Sequence, residues 1–369
     1  MRVVVAPNAY KGSLTPLEAA RAVESGLCRN DPSVDCDLAP LSDGGDGFLE
    51  ALLYAIPGRR LKVVVRGPDH SPVGAAYGLS NGLAVIEAAQ ACGLALLGDS
   101  RDPLGASTGG VGEILAEARQ HGAREIVVGV GGSASTDGGT GMARALGYRF
   151  LDGRGVELAE GGGTLHRLDR IDASGFDPAW MMLPLTVACD VDSPLFGELG
   201  AARIFAPQKG ADVRQVEILD EGLRRLAATI RRDLGVDISD LAGGGAAGGL
   251  GAGLAAFVGG RLQPGAAWLM GKIALKARLA GADLLVTGEG RLDGQSLYGK
   301  APAEAGRMAR DLGVRAVALV GSVGPGWEKA RAAAFDEVIP IAPDGVSPAE
   351  AMSRASELLA DAAARLTKT

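Results

Sequence analysis

Short Val- and Ile-rich runs alternate with helix-patterned stretches at both ends of the chain, whereas the middle is less regular and holds most of the glycine-dense segments. That alternation limits the ends to an α/β architecture, because parallel strands need crossovers long enough to carry a helix. The candidate strands are residues 3–6 and 36–40 at the front and 283–287, 316–320 and 337–341 at the back. Joined by right-handed crossovers in the order 2-1-3-4-5, they form a flavodoxin-like doubly wound parallel sheet. Residues 1–60 and 283–369 then make one discontinuous domain, and residues 61–282 are a second α/β domain inserted into it. A length of 369 residues accommodates both. Only 4% of the chain is aromatic, so the cores are built from Ala, Val, Leu and Ile, as in helix-on-sheet packing.

The first crossover is sharply marked. Thr15-Pro16-Leu17-Glu18 reads as an N-cap, a proline at the first helical position and a capping-box glutamate, and Ala20, Val23 and Leu27 recur on one face. The loop Asn8-Ala9-Tyr10-Lys11-Gly12-Ser13 therefore lies at the carboxyl end of the first strand, where open α/β sheets bind ligands. Lys11 can meet an anion there; a solvated loop lysine is the alternative.

Three segments place carboxylates among glycines: Ser42-Asp43-Gly44-Gly45-Asp46-Gly47, residues 131–139 (GGSASTDGG), and Gly288-Glu289-Gly290-Arg291-Leu292-Asp293. All three read as Gly-rich turns, in which glycine lets backbone N–H groups close on an anion, and the carboxylates hold a divalent cation or take a proton from a hydroxyl. Each could equally be a tight turn with a helix-capping Asp, but three together point to phosphate chemistry. The second follows the strand-like Ile126-Val127-Val128-Gly129-Val130 and precedes a helix from Thr140, so Gly131, Gly132 and Ser133 resemble a phosphate cradle. It has neither the Gly-Lys-Ser/Thr ending of a P-loop nor a dinucleotide fingerprint. Another buried strand ends in Asp190 and Asp192. Lys209 stands beside glycine in Ala206-Pro207-Gln208-Lys209-Gly210, and residues 243–253, with Gly248 and Gly249, supply amide-rich backbone for a phosphate site or for close helix packing. Gly299-Lys300-Ala301-Pro302 opens a helix to about residue 312, aiming its free N–H groups and Lys300 at an anion.

Other classes are excluded. With a net charge of −7, few aromatic residues and no dense Lys/Arg cluster, nucleic acid is not an expected partner. The four cysteines and three histidines show no metal-ligand spacing, so free thiols and a reducing compartment are expected. The N-terminus lacks signal-peptide features, and the uncharged stretch 241–260 is too glycine-rich for a membrane span, which points to a cytoplasmic protein without membrane association.

The ordered blocks resemble the type I glycerate kinase family, bacterial kinases that phosphorylate D-glycerate with ATP. The resemblance rests on residues 7–15 (PNAYKGSLT), 40–47 (PLSDGGDG), 131–139, 188–195 (ACDVDSPL), 207–211 (PQKGA) and 287–293 (TGEGRLD) through Gly299-Lys300. The family often reads Pro-Asp-Ser-Phe-Lys-Gly-Ser in the first block; here Asn8, Ala9 and Tyr10 fill the middle, while Lys11, Gly12 and Ser13 keep the pattern. The resemblance implies ATP and Mg²⁺ as cofactors, D-glycerate as substrate, 2-phosphoglycerate as product, and an active site in a cleft between the two domains. It leaves 3-phosphorylation open, and a monomer or homodimer is expected. Asp43 or Asp190 would take the proton from the substrate hydroxyl, with Lys11 as a catalytic cation. Arg291, Ser13 and Asp293 would hold the substrate, since the Arg fork suits a carboxylate. Gly131, Gly132, Ser133, Lys209, Gly248, Gly249 and Lys300 would meet the nucleotide phosphates, and Asp46, Asp137 and Glu289 would hold Mg²⁺. Two rivals remain: a nicotinamide-dependent dehydrogenase, whose Gly-x-Gly-x-x-Gly turn is missing after the first strand, and a non-catalytic nucleotide or sugar-acid sensor, which would not need its carboxylates.

Overall fold

The computed structural model describes residues 1–297, 300–343 and 345–367. Gly299, which belongs to the last motif, lies outside the described residues. The chain divides into two compact units, Met1–Pro57 with Pro264–Thr369, and Gly58–Gln263.

The first unit is built on a five-stranded parallel sheet. Its order is Asp35–Leu38, Arg2–Pro7, Leu284–Leu292, Arg315–Val323, Glu337–Pro340, which is the 2-1-3-4-5 order of a doubly wound fold. Helix Pro16–Asn30 starts where its capping box dictates: Thr15 Oγ1 accepts from the Glu18 amide and the Glu18 side chain from the Thr15 amide. Its buried Ala20, Val23 and Leu27 join Val3, Val5, Leu284, Val286, Val317 and Leu319 of the sheet in one core. Gly26 is required by the close approach of helix Ala355–Ala364, because a Cβ there would overlap the Ala360 carbonyl.

Residues 264–282, assigned to the inserted domain from sequence, lie with the first unit. Helices Gly265–Lys272 and Leu275–Leu279 pack on helix Ala301–Asp311. Trp268 meets Phe48 with ring centroids 5.8 Å apart, and Arg278 reaches the Leu38 carbonyl at 3.1 Å and Asp37 at 3.3 Å. The helical periodicity of this stretch carries no information about which sheet it covers.

A second difference concerns Gly288-Glu289-Gly290, read from sequence as part of a turn. These residues lie inside strand Leu284–Leu292, paired with its neighbour as far as Leu292↔Val323. Gly288 is needed for close approach: a Cβ would overlap the Leu319 carbonyl and crowd the Tyr10 hydroxyl.

The second unit carries a mixed six-stranded sheet in the order Arg261–Gln263, Leu185–Ala188, Glu125–Gly129, Leu83–Glu87, Pro72–Ser80, Arg59–Arg66. The first four strands are parallel and the last two are antiparallel additions. Its core draws on Ile126, Val128, Ile114, Leu115, Leu223, Leu226, Leu250 and Phe257. No helix among the described residues is long and apolar enough to cross a membrane.

Candidate active site

In the first unit, three loops leave the carboxyl ends of adjacent strands. The first is a tight turn in which Tyr10 and Leu14 exchange backbone hydrogen bonds at 3.0 Å around Gly12, whose φ of +79° suits glycine. Lys11 is exposed at its tip, whereas Ser13 is half-buried and donates its hydroxyl to the Tyr10 carbonyl at 2.9 Å. Tyr10 anchors the turn from below. Its ring is buried, its hydroxyl donates to the Leu319 carbonyl at 2.6 Å, and burial with the nearby Glu289 pushes its pKa well above the ordinary phenol value.

The second loop is held to the sheet by Ala39 and Leu41 amides donating to Val5 and Pro7 carbonyls. It presents Asp43 half-buried and Asp46 exposed. The third strand contributes Glu289, 6% exposed, which accepts from Ser296 Oγ at 2.8 Å and pairs with Lys300 Nζ at 3.3 Å. Burial raises its carboxyl above the ordinary value; Lys300 and the Ser296 hydrogen bond oppose this, and Asp43 adds to the rise. Arg291 is exposed and Asp293 half-buried beside it, with Nε and Oδ2 3.8 Å apart. Lys300 is the N-cap of helix Ala301–Asp311, and its own side chain makes no capping hydrogen bond. The Lys11 turn runs alongside this strand, since a Cβ on Gly290 would lie 3.3 Å from the Lys11 nitrogen. Lys11, Ser13, Asp43, Asp46, Glu289, Arg291, Asp293 and Lys300 thus share one end of one sheet, beside the switch point between Arg2–Pro7 and Leu284–Leu292.

In the second unit, residues 131–139 follow strand Glu125–Gly129, and Asp190 follows Leu185–Ala188 at the same sheet end. Only the tip of this loop is open: Gly132 is exposed and Gly131 half-buried, while residues 133–139 are buried. The deeper part is committed internally. The amides of Ala134 and Gly138 donate to the Cys92 and Gly248 carbonyls, and those of Gly139 and Gly141 to Asp137. It is therefore not an open nest of N–H groups.

Asp137, expected at a metal, is fully buried and engaged by hydrogen bonds at both oxygens. Its Oδ2 accepts from the Thr108 amide, the Thr108 hydroxyl and the Gly141 amide at 2.9, 2.8 and 3.0 Å, and its Oδ1 from the Gly139 amide at 3.1 Å. Burial raises its pKa and these hydrogen bonds oppose the rise. The carboxylate ties the starts of helices Gly109–Gln120 and Thr140–Ala145, where negative charge is favoured, and its burial closes it to an ion arriving from solvent.

Gly248 and Gly249, expected at phosphate, serve close packing. Both are left-handed, and a Cβ on Gly248 would overlap the Ser135 carbonyl, while one on Gly249 would lie 2.8 Å from Gly138 Cα. Lys209 likewise does not project into solvent: it is buried beneath the loop, donating to Ser133 Oγ and the Ser135 carbonyl.

Three contributors escaped the sequence reading. Thr108 stands in Ser107-Thr108-Gly109-Gly110, a hydroxyl residue opening a helix, which is a legible N-cap signal. Tyr10 and Ser296 carry no sequence signal, because their partners Leu319 and Glu289 are set by tertiary structure.

A family model for glycerate kinases matches residues 3–369. The chain belongs to the glycerate kinase family. It is thus an enzyme of the phosphotransferase class. A glycerate kinase of Halalkalibacterium halodurans is 43% identical over 98% of this chain and 96% of its own length. The glycerate 2-kinase of Escherichia coli is 41% identical over 88% of this chain and 86% of its own. A solved chain described as a candidate glycerate kinase 2 from Salmonella typhimurium LT2 is 41% identical, superposes with a TM-score of 0.85, and is covered over 97% of its length by the whole of this chain.

Proposed function

We propose that the chain transfers the terminal phosphoryl group of ATP to the 2-hydroxyl of D-glycerate, giving ADP and 2-phosphoglycerate. The observation that carries this reading is the pairing, at one sheet end, of the Asp43 and Glu289 carboxylates with the cations Lys11, Arg291 and Lys300. Asp43 is the proton acceptor in this reading, because Glu289 is already engaged by Ser296 and Lys300. As the hydroxyl gives up its proton, its oxygen bonds to the γ-phosphorus and the bond to the bridging β–γ oxygen breaks. Arg291, exposed and forked, is suited to the glycerate carboxylate, with Ser13 and Asp293 on the substrate hydroxyls. Lys11, Lys300 and the N–H groups at the start of helix Ala301–Asp311 offset charge on the transferred group.

Among the described residues no three His, Cys, Asp or Glu side chains gather into an all-protein cage for a metal. Mg²⁺ needs none, since it is commonly held by one or two carboxylates together with phosphates and water. Exposed Asp46 fits that role, whereas Asp137 and Glu289 are occupied. Bound there, the ion supplies charge neutralisation on the β- and γ-phosphates.

The reading is tested by ADP release from Mg-ATP with and without D-glycerate. Glycerate-dependent release supports it. ATP binding with no release across a range of sugar acids would make the protein a sensor.

A further inference from the structure

The Lys209 ammonium is buried with no carboxylate in direct contact. It is 3% exposed, both its hydrogen bonds go to neutral oxygens, at 3.2 Å on Ser133 Oγ and 2.5 Å on the Ser135 carbonyl, and among the described residues it forms no ion pair. Two titratable groups face it, Asp137 and Cys92. The Asp137 oxygens are taken by Thr108, Gly139 and Gly141, and burial holds the Cys92 thiol neutral by pushing it up to about 12. Asp137 therefore acts on Lys209 only at a distance, and a buried ammonium without a contacting anion remains costly until further negative charge arrives. Next to it lies the open tip of the loop, exposed Gly132 at φ +71° and half-buried Gly131, followed by buried Ser133, whose hydroxyl Lys209 already contacts.

We propose that the Gly131-Gly132-Ser133 tip binds a phosphate group of the nucleotide, with Ser133 Oγ as contacting donor and the Lys209 ammonium behind it as counter-charge, and that Lys209 takes up a proton from solvent on binding. The proposal rests on the reading of the chain as an ATP-dependent kinase. Burial, opposed by Cys92 and Asp137, brings Lys209 down to about 8, so without ligand it is largely neutral above that pH. A phosphate dianion nearby favours the charged form, and linkage then requires proton uptake and an affinity that falls as pH rises above 8.

The test is calorimetric titration with ADP, whose phosphates are fully ionised at pH 8.5, in two buffers of different ionisation enthalpy. Wild-type protein takes up about 0.7 proton per ADP at that pH, and its affinity weakens about tenfold between pH 8 and 9.5. Lys209→Arg, whose charge does not titrate there, removes both effects. Ser133→Ala leaves Lys209 in place and keeps the proton uptake, but weakens ADP binding about tenfold through the lost contact. Binding of ADP to wild type without proton uptake, or equal uptake in Lys209→Arg, overturns the proposal while glycerate-dependent turnover still upholds the kinase reading. Failure of ADP to bind at all, together with absent turnover, overturns both.

Discussion

Thr108 gives both its amide and its hydroxyl to a single oxygen, Oδ2 of Asp137, at 2.9 and 2.8 Å. The same hydroxyl accepts from the Met142 amide at 3.0 Å, so one threonine and one aspartate join the starts of two helices beneath the loop 131–139. Thr108→Val should therefore lower stability by about 1.5–3 kcal/mol, the range for a hydrogen bond to a buried charge. Asp137→Ala, which strands the Thr108 amide and hydroxyl and the Gly139 and Gly141 amides, should cost about 3–5 kcal/mol. Urea unfolding followed by circular dichroism reads both; a Thr108→Val protein as stable as wild type would show that the carboxylate is not held in this way.

Gly248 separates two causes of glycine dependence. Its φ is +68°, and a Cβ would also overlap the Ser135 carbonyl. Gly235, at φ +70°, has nothing within 4 Å of a built Cβ. Gly235→Ala should cost about 1 kcal/mol for the left-handed backbone alone, and Gly248→Ala clearly more, through the displaced loop. Equal losses in urea midpoint would mean that the loop moves aside freely.

Glu289 makes a pH-dependent contribution of defined sign. Its folded carboxyl sits above the ordinary 4.5, chiefly through burial, so the folded chain keeps the proton to higher pH than the unfolded chain. Stability from this group is full below about 4.5 and is lost as pH rises through the folded value. Wild-type stability relative to Glu289→Gln should accordingly decline from pH 4.5 upward. A difference that stays constant across the titration would contradict the raised value.

Much of this was legible in the chain and some was not. The capping box at Thr15 and Glu18 places a helix boundary through local chemistry, and the Val/Ile runs place the strands, because both signals act over a few residues. The role of a glycine is different. Gly288 in a strand, Gly248 against Ser135 and Gly12 in a turn look alike in sequence, since what each avoids is a neighbour distant along the chain. The same holds for acids: Asp137 and Asp46 both sit beside glycines, yet one is saturated by backbone amides and the other is exposed. Lys209 and Lys11 likewise differ only in what folds over them.

Roles at the first-unit cluster can be separated kinetically. Asp43→Asn should lower kcat about 10²–10⁴-fold with little change in the KM for glycerate, as loss of a general base does. Arg291→Lys should act mainly on the KM for glycerate, because an ammonium cannot reproduce the two-point contact with a carboxylate. A kcat defect confined to Glu289→Gln would move the base assignment from Asp43 to Glu289.

The central claim, transfer from ATP to the 2-hydroxyl of D-glycerate, is tested most directly by proton-coupled phosphorus NMR of the product formed from Mg-ATP and D-glycerate. A phosphate on carbon 2 couples to one proton and gives a doublet, which is the predicted result. A triplet would place the phosphate on carbon 3, and the absence of any new phosphate ester would contradict the assignment of glycerate as the substrate.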